Sequence, residues 1–309
     1  MLELVVVALR LVQYGAASIL AGSALFFVYG LPAHGPASAA ARGWPKPLLA
    51  ISALTLTAAA LLGLVAQTAV LAGSLAEGLR PESLSAVLTG MAIGKAAVAR
   101  AAFACAAAGL LLAAPSGRPL WLATGALGVF ATATFAWMGH GAATEGSGRI
   151  LHLLADIVHA LAAAGWIGAL VAFGFLVRER TQSAAALSVT HAALMRFSGL
   201  GMAFVATLAL TGLVNSWFLV GLDLEAAVAS DYGRVLALKL LVFAAMLVLA
   251  AAHRFRLVPR LGERLASGRP LDGSELNALR RSVTLEAALG FAALAAVGGL
   301  GSMAAPAMQ

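Results

Sequence analysis

The chain has 309 residues, 61% of them hydrophobic and only 11% charged, with a mean hydropathy of +0.95. That balance excludes a soluble globular domain and a disordered chain, and identifies an integral membrane protein. The net charge of +7 does not call for nucleic acid, because the basic residues are segregated loop by loop.

Apolar windows of about 20 residues predict eight spanning helices near residues 4–30, 47–74, 85–113, 119–139, 150–177, 193–220, 234–257 and 283–304. Such runs are too long for membrane β-strands, which alternate over about ten residues. The predicted fold class is therefore all-α: a polytopic membrane helical bundle, with residues 1–309 as a single integral membrane domain. The first helix begins Met1-Leu2-Glu3 without a basic region, so it reads as a permanent span and not as a secretory signal.

The third helix carries the one cysteine, Cys105, between alanines. A single cysteine excludes an internal disulfide and a Cys-pair metal site, and a buried apolar role is expected for it. The fourth helix ends at Trp137, Met138, Gly139 and His140, and the fifth is interrupted by His152, Asp156 and His159. Between the seventh and eighth helices, residues 258–282 carry Pro259, Gly262, Gly268, Pro270 and Gly273. That punctuation predicts a solvated loop in preference to a surface helix over Asp272 to Arg281. Glycines within the spans, such as Gly22, Gly165 and Gly168, read as close helix packing.

The odd-numbered loops hold Arg42 and Lys46, Arg118, Arg178 and Arg180, and then Arg254, Arg256, Arg260, Arg264, Arg269, Arg280 and Arg281. The even loops hold only Arg80, Arg149 and Arg234, with Asp223, Glu225 and Asp231 in the sixth. The positive-inside rule makes the odd loops cytoplasmic and puts both termini outside.

Ionisable groups inside a span are costly unless they face protein, water or an ion. At 100° per residue, His152, Asp156 and His159 fall within an arc of about 60° on one helix face, and His159 lies about 10 Å below His152. A metal–imidazole bond is about 2 Å long, so the two histidines suit two stacked positions and not one shared ion. Each pairs with Asp156 as co-ligand or orienter. Further donors are sought in His140 and Met138 at the fourth helix end, Met91 in the third helix, and Met303 or Met308 after the eighth. Imidazole, thioether and one carboxylate without a thiolate pair favour copper over calcium or magnesium.

Other charges in the spans compete with that reading. Lys95 and Lys239 are expected in the outer half, where either would neutralise Asp156. Arg100 and Glu286 are a candidate pair. Arg10 either snorkels or pairs inside the bundle, and Gln13 and Tyr14 add polar groups beside it. His34, His191 and His253 fall on the inner side, as helix-end residues or as an exit site.

The residues Gly139-His140, the segment HLLADIVHALAAAGWIGALV from His152 to Val171, Thr211-Gly212, Tyr232-Gly233-Arg234 leading to Lys239, and His253-Arg254 before Pro259 resemble the copper-resistance D (CopD) family of bacterial inner-membrane proteins. The similarity runs over about residues 135–260. It implies copper handling at the periplasmic face with transfer toward the cytoplasm, His140, His152 and His159 as the family's histidines, and a separate periplasmic copper-binding partner of the CopC type. No GxxxxGK[ST] loop is present, so movement is not expected to use ATP. No HExxH or GxSxG pattern suggests an enzyme. Two other readings stand beside transport: a b-type haem electron carrier with two axial histidines, and a copper delivery or assembly factor without net flux.

Overall fold

The computed structural model describes residues 1–31, 43–139, 144, 146–178, 184–221, 230–267, 273–301 and 303. Among them helix is the regular structure present, without a strand, and eight helices are long and apolar enough to cross a membrane: α1 (Leu2–Tyr29), α2 (Pro45–Leu71), α3 (Ala92–Ala113), α4 (Arg118–Trp137), α5 (Arg149–Leu176), α6 (Ala186–Val220), α7 (Asp231–Ala266) and α8 (Ser274–Leu300). In lipid every backbone polar group must be satisfied within its own segment, which is why these apolar runs form helices.

Local chemistry sets the helix ends. Pro45 opens α2 and Pro119 lies in the first turn of α4, where a missing N–H costs nothing. Ser230 caps α7, its Oγ accepting from the Gly233 N–H at 3.0 Å. Three boundaries differ from the hydropathy reading. Helix α3 starts at Ala92 and not near 85, because Met91 is extended (φ −114°, ψ 138°) and residues 81–90 form a separate short helix and π-turn. Helix α6 starts before residue 193, drawn inward by Leu187, Val189, Ala193 and Leu194, all buried.

The third difference corrects the loop expected over 258–282. Its described part is helical, extending α7 through Val258–Ala266 and α8 back to Ser274. Pro259 sits in the first turn of its segment, Leu261, Leu276 and Leu279 are buried, and Arg264 bridges to Glu275 at 2.8 Å. These contacts outweigh the turn signals. Asp272 lies outside the described residues.

Helix α5 is the centre of the bundle, packed against α1, α4, α6 and α8. A π-turn in α1, Ile19–Ser23, meets it directly. A Cβ on Gly22 would lie 2.0 Å from the Ala164 carbonyl oxygen, and one on Gly168 would lie 2.6 Å from the Gly22 Cα. Only glycine permits this approach, and Ser23 Oγ seals it by donating to the Gly168 carbonyl at 2.7 Å. Helices α6 and α7 stand at the periphery, where they pack mainly on α5 and α8 respectively. Cys105, expected to be buried, is exposed on the outer surface of α3; a small thiol among alanines is tolerated by lipid as readily as by core.

Candidate functional site

The face of α5 predicted to be polar is turned into the bundle. Leu151, Leu154 and Val158 are 58%, 53% and 43% exposed, whereas His152 is 1% exposed. Between α5 and helices α1, α4, α6, α7 and α8 lies a cavity of about 520 Å³ whose lining includes His152, Asp156, His159, Asn215, Tyr232 and Lys239. This is the size of a ligand site, and here its walls are mostly apolar with the polar groups confined to a few positions. At its floor are Trp166 and Met246.

Each polar side chain of α5 is held in place. The His152 ring stacks on Phe218 (centroids 4.7 Å apart, planes at 7°), and its Nδ1 lies 2.6 Å from Thr144 Oγ1. Asp156 Oδ1 accepts a long contact, 3.5 Å, from Asn215 Nδ2. His159 Nδ1 is 2.9 Å from Thr211 Oγ1, while that hydroxyl donates its one proton to the Thr207 carbonyl at 2.6 Å. Thr211 must therefore accept at the histidine, so His159 carries its proton on Nδ1 and keeps the Nε2 lone pair for a ligand. An outer-shell acceptor on the far nitrogen fixes the tautomer and ring orientation of a metal-binding imidazole in this manner. The Asn215 Oδ1 is buried without a partner.

The other sequence-selected residues are distributed as follows. His140 lies outside the described residues, as do His34 and Met308. Met138 is turned away from the cavity: its Sδ accepts from Arg100 Nη1 at 2.7 Å, in a separate polar cluster with Gln13. Met91 is 40% exposed, and Met303 packs with Tyr232 and Leu300. Lys239 faces the cavity with Asp156 but stops short of ion-pair contact, and Lys95 is exposed. Among the described residues no three His, Cys, Asp or Glu side chains are close enough to hold one ion. His152, Asp156 and His159 nevertheless line the same cavity.

The candidate pair Arg100 and Glu286 does not form. Arg100 is wholly buried, donating to Thr134 Oγ1, Gln13 Oε1 and Met138, and lies 4.0 Å over the Phe135 ring. Glu286 instead accepts from Trp166 Nε1 at 2.9 Å and meets His253 Nδ1 at 2.8 Å. Arg10 is buried and donates to the Gly301 carbonyl at the end of α8 and to Gln67. His191 is half-buried, its Nε2 against Gly262. Thr211 and Asn215 had drawn no site assignment from sequence, although their spacing of four residues on an apolar helix is the signal that they share a face.

The N-terminal half of the chain, residues 1–151, matches the family model described as copper resistance protein D-like, N-terminal domain, and residues 191–300 match that of copper resistance protein D. A protein named copper resistance protein D from Pseudomonas syringae pv. tomato is 32% identical over 307 residues, 96% of each chain. The inner membrane protein YebZ of Escherichia coli K12 is 30% identical over 129 residues, 41% of this chain and 42% of that one. No solved structure matches the chain. Eight apolar spans and relatives of these names make this a multi-pass inner membrane protein, copper-related, and the chain belongs to the copper resistance protein D family.

Proposed function

We propose that this protein binds copper on the α5 face formed by His152, Asp156 and His159 and passes it across the membrane toward the cytoplasm. The observation that carries this reading is that His159, its Nδ1 within hydrogen-bond distance of Thr211, lines one intramembrane cavity with His152 and Asp156, so that Nε2 is the nitrogen left for a ligand. Imidazole and carboxylate are suitable donors for a borderline transition-metal ion. The distribution of arginines supports a topology in which the His152 end of the bundle and both termini lie at the periplasmic face. The ion is captured near His152, with His140 as a further donor, and moves down the face to His159. A small periplasmic copper-binding protein of the CopC type is the expected donor. The role of the chain is binding and transfer, not catalysis.

Proteoliposomes holding the purified protein test this reading. Copper uptake that falls in His159→Ala supports transfer; copper bound without uptake assigns the protein to delivery; a Soret band in the purified protein assigns it to haem electron transfer.

A further inference from the structure

Below the cavity floor lies a second buried ionisable unit. Glu286 on α8 is 1% exposed, and its two oxygens face different helices: Oε1 accepts from Trp166 Nε1 on α5, and Oε2 lies 2.8 Å from His253 Nδ1 on α7. That contact lacks hydrogen-bond geometry, so Glu286 Oε2 is buried without a hydrogen-bond partner. The remaining ring nitrogen, His253 Nε2, is buried without a partner.

No lysine or arginine compensates Glu286 among the described residues. On α7, the neighbouring Arg254 donates to the Ser198 carbonyl and hydroxyl of α6. From α6, Arg196 donates to the Tyr29 carbonyl; from α1, Arg10 is held by Gly301 and Gln67; on α8, Arg280 is held by the Val177 carbonyl and Asn277. An ionised carboxylate beside a neutral imidazole would place one net negative charge inside the membrane, a costly state. A proton taken up by the pair, on the imidazole or on the carboxylate, removes that net charge. Trp166 links the unit to the cavity, because it both lines the floor and donates to Glu286. His253 also opens a π-turn, His253–Leu257, a feature frequent at functional sites.

We infer that Glu286 and His253 form a proton-binding site in the cytoplasmic half of the membrane, through which proton movement is linked to passage of the metal ion. The coupling rests on the transfer reading above; the proton site itself does not.

Two measurements on the full-length protein separate them. In an infrared pH titration, wild type shows one step combining imidazole and carboxylate bands, and both Glu286→Gln and His253→Gln lose that step. An identical titration in wild type and both variants, each with wild-type helical content, overturns the proton site. In proteoliposomes enclosing a pH-sensitive dye, copper entry is accompanied by a pH change that Glu286→Gln loses. A pH change that persists in that variant, or copper entry in wild type without one, overturns the coupling. If wild-type vesicles admit no copper, the transfer reading and the coupling both fall, and the titration alone decides the proton site.

Discussion

Thr211 Oγ1 stands 2.9 Å from His159 Nδ1 while giving its only proton to the Thr207 carbonyl, so one hydroxyl sets which nitrogen of the histidine is free. Thr211→Val removes that support while keeping the shape of the side chain. Copper affinity should fall by about tenfold, the lower end of the effect of losing an outer-shell partner. Thr211→Ser should retain wild-type affinity. Competition titration against a copper chelator checks both.

The place of Met138 in the chain groups it with the histidines, but its sulfur is directed to Arg100. Met138→Leu should change copper affinity less than His159→Ala does, and should lower thermal stability, because Arg100 Nη1 loses an acceptor in a site where Nη2 already lacks one. The two variants are compared by chelator competition and by thermal melting in detergent.

The backbone contact between α1 and α5 predicts a large packing penalty. Gly168→Val places side-chain atoms where Gly22 Cα and the Ser18 carbonyl lie, within 2.6 Å of the new Cβ. Overpacking of this kind costs about 1–3 kcal/mol, read as a fall in melting temperature with loss of folded yield. Gly174→Ala on the same helix has nothing within 4 Å of its Cβ and should be neutral.

Glu286→Ala leaves the Trp166 N–H without its acceptor. An orphaned buried donor costs about 1–3 kcal/mol, so this variant should melt well below wild type. Glu286→Gln retains an acceptor for Trp166 and should lose less. Thermal melts in one detergent rank the three proteins.

Acid should weaken copper binding, because a proton and the metal compete for the same imidazole lone pair. Affinity should rise with pH and level off once the histidines are neutral. A chelator competition series across pH measures this, and affinity that does not vary with pH removes imidazole from the ligand set.

The eight spans and the polar face of α5 were legible in the sequence because each is a one-dimensional pattern: apolar length for the helices, and spacings of four and seven residues for His152, Asp156 and His159. Partners across helices were not. Nothing local distinguishes Glu286 paired with Arg100 from Glu286 paired with Trp166 and His253, since the choice depends on how α5, α7 and α8 dock. Met138 likewise sits one residue from Gly139 at the cavity wall, yet the last turn of α4, a 3₁₀ turn over Thr134–Trp137, precedes it on the way to the opposite side. The helical extensions of α7 and α8 were hidden because Pro259 and the nearby glycines signal a turn, whereas buried leucines and the Arg264–Glu275 bridge act over a longer range.

Copper content of the purified protein, measured after loading and desalting, tests the central claim most directly when wild type is set beside His152→Ala/His159→Ala. The account predicts copper retained by wild type and lost from the double variant at equal yield and helicity. Equal copper in both proteins, or none in wild type, contradicts it.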